Sequence, residues 1–547
     1  MSTNKKEKKK SSYEAKKGTK RSRMGCLRWM LWLIHYILDS LVDFIFKFIY
    51  DDANRKLLIP VKHSFLVESA TGLAEKIRNK ELSSEKLVQA CIDRIVEVNA
   101  DLNCVVDSRF QEALAEARGV DQFLESTSLS VDELRRDKPF LGVPFTSKES
   151  THASGMKNTF GLVSRRDCKA TVDAEIVVRV KAGGGILLAI TNVPELNLWQ
   201  ETRNNVYGQT NNPFNVNRTA GGSSGGEAVA IAACASPFGI GTDIGGSARM
   251  PGFFCGIYGH KPTTGLISTR GMTFRTGQEK EKTMVTAGPM TRYAADIIPF
   301  LKLLVGDNVS KLKLDNKVDM ASVRLSYVVE PGDLRVSAVT KEMRSIILQA
   351  VTHLEQQCGS QAHQLNLPGF RYSYTLWRYW MSKEPGNFAF DLGNKKHEVS
   401  WLMELPKMLM GQSQHTLPAM LKLLETAVFP PVPAKWAEEE TTKLREALIE
   451  ELGDDGVLIF PSHPTPAHHH YVPFFRPYNF AYWAIINVLH FPATQVPLGL
   501  SRDGLPLGLQ VVATPYNDHL CIAVAKELEN GLIVTCLLVL LSHITYN

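Results

Sequence analysis

The sequence predicts an α/β protein with a mixed central β-sheet that helices cover on both faces. Helical patterns and short apolar strand patterns alternate from about residue 65 to the run LPLGLQVVA at 505–513, and such alternation is typical of sheets with covered faces. Hydrophobic residues make up 44% and charged residues 22% of the 547 residues. That balance is ordinary for a globular protein with a large core. Length alone favours two to four domains.

The first 25 residues are predicted to be a basic, disordered tail. Residues 1–28 contain eleven Lys and Arg against two Glu, and this surplus exceeds the net charge of +6 for the whole chain. The remainder is therefore slightly acidic. This balance argues against nucleic-acid binding by the main body.

Residues 26–50 are predicted to form a membrane-associated helix. The run CLRWMLWLIHYILDSLVDFIFKFIY is long enough to cross a bilayer. However, His35, Asp39, Asp43 and Lys47 recur every four residues and would form one polar stripe along a helix. Carboxylates at bilayer depth are costly, so a helix that lies in the headgroup plane fits this pattern better. A spanning helix and a helix packed on the protein's own core stay open as alternatives.

The body begins with two helices, the first marked by apolar residues at Leu73, Ile77 and Leu82 and the second capped at Ser83. The run FLGVPFTSKES indicates a buried strand that ends at Lys148. The later run VVRVKAGGGILLAITN indicates a helix, a glycine C-cap and another buried strand.

Residues 371–425 differ from the rest of the body because they are rich in Trp, Met and Leu. Pro406, Gly411 and Pro418 are predicted to break this region into short helices. Two interpretations stay open. The region is either an ordinary helical part of the core or an apolar cap that lines a substrate channel or touches a membrane.

Cysteine and histidine patterns indicate neither a disulfide framework nor a metal site. The nine cysteines are scattered singly, which predicts free and mostly buried thiols. The run HHH at 468–470 follows the Pro-rich PSHPTPA and has no carboxylate or cysteine close to it in the sequence. We expect a solvated loop there and no bound metal ion.

The stretch TAGGSSGGEA at 219–228 is predicted to hold reactive hydroxyls. Gly/Ser runs are usually flexible linkers, but here an apolar run and then DIGGS at 243–247 follow directly. The stretch also lacks the patterns of phosphate-binding loops. A serine nucleophile needs a base, and none of the histidines lies within thirty residues before Ser223. Lys148 can act as the base if burial keeps its amine neutral.

These motifs resemble the amidase signature family over roughly residues 65–530, and within it the fatty-acid amide hydrolases. The resemblance is carried by FLGVPFTSKES, by NNPFNVNRTAGGSSGGEA with DIGGSARMPG, by GPMTRYAADI and by LPLGLQVVA. The lysine and the two Gly/Ser motifs occur in the family's order and at its spacing. The resemblance implies a single amidase domain over residues 60–530 that needs no cofactor and no metal.

By this resemblance Ser247 is the acylated nucleophile, Ser223 the bridging serine and Lys148 the base. Without the family alignment, the sequence does not choose between Ser223 and Ser224. Glycines before the nucleophile leave room for the substrate carbonyl to approach. The backbone N–H groups expected to hold the oxyanion belong to Ile244, Gly245, Gly246 and Ser247.

The resemblance implies a membrane-associated serine hydrolase that cleaves long-chain acyl amides, such as N-acylethanolamines and primary fatty amides, into fatty acid and amine. Its partners would be that substrate and membrane lipid, at an endomembrane or lipid-droplet surface, with a homodimer left open. The alternatives are an amidase or amidotransferase subunit that acts on small amides, and a non-catalytic membrane scaffold on the same fold. Residues 531–547 depart from the family's ending and are predicted to be an atypical C-terminal tail.

Overall fold

One mixed sheet of eleven strands runs through the part of the chain described by the structure, a computed structural model. The described residues are 30, 33–50, 58–272 and 283–532. The predicted basic tail, 1–25, lies outside them, as do residues 533–547 of the predicted atypical tail. Helices flank the sheet, so the predicted α/β class with a mixed, covered sheet is confirmed.

The sheet combines two parallel groups of strands with antiparallel neighbours. Its strand order is β1-β3-β2-β6-β8-β7-β12-β13-β11-β9-β10, and β4 and β5 form a separate hairpin. Strands β3, β2 and β6 are parallel, as are β11, β9 and β10. The strands are β1 Val105–Ser108, β2 Pro144–Lys148, β3 Ile186–Thr191, β4 Arg203–Asn204, β5 Gly208–Gln209, β6 Phe238–Asp243, β7 Tyr258–Lys261, β8 Thr286–Thr291, β9 Arg324–Tyr327, β10 His363–Gln364, β11 Gly456–Pro461, β12 Ala493–Leu500 and β13 Pro506–Ala513.

The helices pack their apolar faces against this sheet and against one another. The first, α1, comprises residues 33–49. The others are α2 Ala70–Arg78, α3 Ser84–Leu102, α4 Phe110–Ser126, α5 Val131–Asp137, α6 Glu175–Ala182, α7 Gly225–Ala232, α8 Arg249–Phe254, α9 Ile297–Val305, α10 Lys341–Cys358, α11 Ser373–Met381, α12 Phe388–Leu392, α13 Trp401–Leu409, α14 Leu417–Val428, α15 Ala434–Leu452, α16 Ala481–Leu489 and α17 Asp518–Leu532.

The predicted capping of the second body helix is confirmed, because the Ser83 side chain accepts a hydrogen bond from the Lys86 N–H at 3.2 Å. The first helix is shorter than its pattern predicts. It ends at Arg78, so Leu82 lies in the connection to α3, where its side chain is still buried.

The predicted membrane-associated helix, 26–50, is described only in part, and α1 denotes its described residues 33–49. Residue 30 is also helical, and the other residues of 26–32 lie outside the described part. Within the described residues, no helix combines the length and the apolar character that crossing a bilayer requires.

Residues 371–425 are helical, but the prediction that Pro406 breaks a helix is wrong. Pro406 lies inside α13, where proline removes only its own N–H donor. The Pro406 carbonyl still accepts from the Met410 N–H at 3.1 Å, so the helix continues past it. Gly411 follows the end of α13 with a φ of 69°, and Pro418 lies in the first turn of α14.

The sheet brings the sequence motifs together at one edge. Strands β2 and β6 are parallel neighbours, so their carboxyl ends lie side by side. Strand β2 ends at Lys148, and β6 ends at Asp243, four residues before Ser247. Helix α7, all of whose residues are buried, begins directly after Ser224. The candidate site therefore lies at this edge.

Candidate active site

Lys148 is fully buried at the end of β2 and points into a cluster of hydroxyl groups. Its Nζ lies 2.6 Å from Ser223 Oγ and 2.8 Å from Thr242 Oγ1. Burial lowers the pKa of Lys148 to about 7, although the nearby carboxylates of Asp243 and Glu227 act in the opposite direction. The predicted burial of this lysine is therefore confirmed, and a large fraction of its amine is neutral near pH 7.

The structure distinguishes the contacts of the two adjacent serines, Ser223 and Ser224, which the residue pattern alone could not do. Ser223 Oγ contacts Lys148 Nζ, whereas Ser224 Oγ contacts the backbone of Thr242, at 3.5 Å from its carbonyl and 3.4 Å from its N–H. The peptide bond before Ser223 is cis. Gly222 is required by space, because a Cβ there would lie 2.3 Å from the Trp199 carbonyl oxygen. The Gly/Ser stretch is thus a buried, closely packed turn.

Ser247 is the most accessible of the three candidate catalytic residues. Its residue is 9% exposed, compared with 1% for Ser223 and 0% for Lys148. The Ser224 N–H donates to the Ser247 carbonyl at 3.1 Å, which joins the two Gly/Ser motifs. A nucleophile must reach substrate while its base stays dry, and this gradient of exposure meets both requirements.

The turn before Ser247 is shaped by two tryptophans. Gly246 has a φ of 107°, and a Cβ there would lie 2.4 Å from the Cβ of Trp483. Trp377 Nε1 donates to the Ile244 carbonyl at 3.0 Å, on the opposite side of that peptide from the next N–H. These contacts hold the backbone of the predicted oxyanion donors in one orientation.

A buried ion pair ties the same turn to the sheet. Arg249 Nη2 donates to Asp243 Oδ1 at 3.0 Å, and both side chains are fully buried. Arg249 also donates to Gln510 at 2.6 Å and to Asn487 at 2.7 Å. Burial alone would raise the pKa of Asp243, but the charge and hydrogen bonds of Arg249 hold it well below its usual value. Asp243 therefore stays ionised and accepts the Gly246 N–H at 2.8 Å, so one of the four predicted oxyanion donors is already bonded.

Glu227 places a second carboxyl group beneath Lys148. Both of its oxygens accept from threonine hydroxyls, Thr146 and, at 2.7 Å, Thr191. Burial raises the pKa of Glu227 to about 7. Gly239 leaves room for this carboxylate, because a Cβ at that position would overlap it. Burial thus favours the neutral form of this acid, as it does for the lysine.

Sequence reasoning missed Thr242, the ion pair of Asp243 with Arg249, and Glu227. Thr242 and Asp243 are separated from the Gly-Gly-Ser motif by Ile244 alone, and Arg249 follows Ser247 by two residues. Glu227 is the single charged residue of α7, which is otherwise apolar. For Glu227, the signal available in the sequence was a charged residue inside an apolar run.

The prediction that residues 468–470 form a solvated loop is wrong. His468, His469 and His470 are all buried. His468 packs edge-on against Phe254 with ring centroids 5.4 Å apart, and His470 lies 3.7 Å from the buried Glu201 carboxylate. These aromatic and ionic partners come from distant parts of the chain, so the neighbouring sequence did not reveal them.

Among residues 30, 33–50, 58–272 and 283–532, we find neither a candidate metal-binding cluster nor a disulfide bond. No group of three or more His, Cys, Asp or Glu in these ranges is arranged to hold a metal ion. The cysteines in the same ranges are free thiols, and all of them except Cys168 are buried.

A cavity of about 360 Å³ lies between α13, α14 and the segment around residue 471. Its apolar wall includes Met408, Leu417 and Phe474. The ring of Phe474 lies 5.0 Å from that of Trp199, whose carbonyl borders Gly222. The cavity wall is thus connected to the backbone of Ser223 by two contacts.

Comparisons with known proteins identify relatives of this chain. A model of the Amidase family matches residues 86–522. Fatty-acid amide hydrolase 2 of Homo sapiens is 42% identical over 485 residues, which cover 86% of this chain and 90% of the human protein. Fatty-acid amide hydrolase 2-A of Danio rerio is 42% identical over 483 residues, which cover 87% of this chain and 90% of that protein. A solved structure of a fatty acid amide hydrolase is similar in fold, with a TM-score of 0.68 at 20% identity and 91% of each chain covered.

Proposed function

The chain belongs to the amidase family, a family of hydrolases that act on amide C–N bonds, and from that premise we propose that it is a membrane-associated serine hydrolase of fatty-acid amides. In this proposal Ser247 is the nucleophile, Ser223 relays protons and Lys148 is the base. One observation carries the mechanism: a fully buried lysine with a lowered pKa lies 2.6 Å from the hydroxyl of Ser223.

Acylation begins when Ser247 Oγ attacks the carbonyl carbon of the amide. Its proton passes to Ser223 Oγ as Ser223 gives its own proton to the neutral amine of Lys148. The negative charge moves to the carbonyl oxygen, where the backbone N–H groups of Ile244, Gly245 and Ser247 stabilise it, since the Gly246 N–H is bonded to Asp243. Lys148 Nζ also donates to Thr242 Oγ1 at 2.8 Å, and this contact holds the amine beside Ser223.

Collapse of the tetrahedral intermediate requires a proton on the departing nitrogen. Lys148, now an ammonium, returns its proton through Ser223 to that nitrogen, and the amine leaves. The acyl group remains on Ser247 as an ester. Water then attacks the ester with the same relay acting as base, which releases the fatty acid and restores the Ser247 hydroxyl.

The proposal of a long acyl chain rests on the relatives and on the apolar cavity. The human and Danio rerio relatives bear names that specify fatty-acid amides. In this chain the cavity beside Phe474 is lined by Met408, Leu417 and Pro418, which suit an alkyl chain. Burial of each methylene contributes about 0.8 kcal/mol.

Competition for Ser247 tests the substrate class. We expect amides to slow labelling of the purified chain by a fluorophosphonate more strongly as the acyl chain lengthens from two to about eighteen carbons. N-acylethanolamines and primary fatty amides would be compared with acetamide and glutamine. If the two small amides compete as well as the long ones, the small-amide or amidotransferase alternative replaces this proposal.

Membrane association is proposed from two exposed apolar surfaces. One is the outer face of α1, with Phe44 71% exposed and Phe48 88% exposed. The other lies on α13 and α14, where Met403 and Leu409 are among the exposed side chains. Phe475 is also exposed; it contacts Phe46 of α1 and follows Phe474, which lines the cavity. Exposed apolar area of this extent is typical of interaction surfaces.

Substitution on the outer face of α1 tests this surface. We expect the double variant Phe44→Ser with Phe48→Ser to lose at least about tenfold in partitioning to liposomes, because each phenylalanine contributes about 2 kcal/mol when buried. Flotation of the full chain with liposomes measures the effect.

Val96→Ser is the matched control, since Val96 is 68% exposed on α3, part of the main body. We expect it to float like the unmodified chain. Complete flotation of the α1 variant would remove α1 as the membrane contact and transfer the proposal to Met403 and Leu409.

A further inference from the structure

Helix α1 turns its polar stripe toward the body of the protein and its apolar residues outward. Asp39 Oδ1 accepts from Arg476 Nε at 2.9 Å, and Asp43 Oδ1 lies 2.9 Å from Arg476 Nη2. On the same side of α1, His35 Nδ1 lies 3.0 Å from the Leu334 carbonyl. Three of the four polar residues of the stripe therefore meet the body.

The receiving side chain is almost completely buried. The Arg476 side chain is 3% exposed and pairs with the carboxylates of Asp39 and Asp43. Removal of both carboxylates would leave a buried charge without these counterions, which is costly. Burial alone would raise the pKa of Asp39, but His35 and Arg476 lower it, so this carboxylate stays ionised beside the guanidinium. The contact is thus an ion pair that is built into the body.

Aromatic contacts continue the docking along the C-terminal half of α1. Phe46 is 8% exposed and packs edge-on against Phe475 at 5.7 Å. Tyr50, just after the helix, stacks on His469 at 5.0 Å. Phe44 and Phe48, on the outer face of α1, are exposed, whereas Phe46 packs against the body.

The docked segment leads directly to the turn that holds the nucleophile. Asn479, three residues after Arg476, bonds to Ser337 through both its side-chain oxygen, at 2.9 Å, and its nitrogen, at 3.1 Å. Helix α16 begins two residues later, and its Trp483 fills the space beside Gly246. His463 stacks on Trp483 with ring centroids 5.5 Å apart. A displacement of the segment would therefore reach the oxyanion turn through Trp483.

We infer that α1, through the clasp of Asp39 and Asp43 on Arg476, is a positioning element of the active site as well as a membrane contact. Docking of α1 holds residues 471–480 in place, and this segment in turn seats Trp483 against Gly246. The membrane-facing helix and the oxyanion turn are thereby mechanically coupled. The catalytic part of this inference rests on the proposed function, whereas the docking itself does not.

Neutral substitutions in the full chain test the clasp without deleting α1. The variant Asp39→Asn with Asp43→Asn is compared with Arg476→Met, with all three changes together, and with Lys47→Gln as control. Lys47 is exposed on the same helix, so its substitution alters charge without touching the clasp. Hydrogen exchange is measured in detergent micelles together with turnover of a water-soluble short-chain acyl anilide.

We expect amide exchange at least about threefold faster in both 33–49 and 471–489 for the clasp variants and unchanged for Lys47→Gln. We expect kcat for the anilide to fall roughly threefold to tenfold, with KM within about twofold, because geometry at the reacting carbonyl changes rather than binding. The triple variant should match Arg476→Met, since both lack the same interaction.

Faster exchange confined to 33–49, with kcat unchanged, would overturn the inference and leave α1 as a tether. Fully additive effects of the aspartate and arginine changes would overturn it as well. If exchange responds in both regions but the unmodified chain cleaves no amide, the docking stands and the proposed function fails.

Discussion

Ser247→Ala is expected to abolish amide hydrolysis and fluorophosphonate labelling while the fold is retained. The substitution removes only the hydroxyl that forms the acyl bond, and loss of a serine nucleophile costs about 10⁴-fold to 10⁶-fold in kcat. The hydroxyl is not part of the buried ion pair or of the core, so the free energy of unfolding should change by about 1 kcal/mol or less. Labelling intensity, turnover and thermal unfolding measure the three quantities.

Ser224→Ala is the matched control for this experiment. Ser224 lies beside the same motif, but its hydroxyl makes only long contacts with the Thr242 backbone. We expect labelling of this variant to persist within about tenfold of the unmodified chain. Full labelling of the Ser247 variant would contradict the assignment of the nucleophile, and loss of labelling in both variants would point to a damaged fold.

Local patterns predicted the buried strand that ends at Lys148. The local pattern alone did not establish that the lysine side chain is buried, because most lysines at strand ends point to water. The rigid character of the Gly/Ser stretch was also predictable, since buried apolar runs surround it. The choice of Ser223 over Ser224 was not. That choice depends on which side chain a turn directs at Lys148, 75 positions away in the chain.

The polar stripe of α1 shows a different limit. The spacing of His35, Asp39 and Asp43 predicted an amphipathic helix, and its cost at bilayer depth argued against a spanning helix. What the stripe contacts was not predictable, because Asp39 and Arg476 are separated by 437 positions. The buried histidines at 468–470 escaped prediction for the same reason. Their partners are far away in the sequence.

The last expected result concerns the leaving group. Lys148→Ala should reduce kcat for an amide by about 10³-fold to 10⁴-fold. The reduction of kcat for the matched ester should be smaller than this by a factor of roughly ten to a hundred. Both substrates lose the base that activates Ser247. Only the amide also needs the returned proton, because an amine leaves poorly as an anion whereas an alkoxide leaves more readily. An acyl amide and the corresponding methyl ester, measured under saturating conditions, give the ratio.

Two controls connect this result to the Lys148 amine. Lys261, on β7, is another fully buried lysine, and its Nζ donates to the Phe491 carbonyl at 2.8 Å. The substitution Lys261→Met should leave the ratio of amide to ester turnover unchanged. In the unmodified chain, acylation should fall as pH decreases through about 7, because burial places the pKa of Lys148 there and protonation removes the base. Equal losses on amide and ester in Lys148→Ala would show that this lysine is not the source of the leaving-group proton.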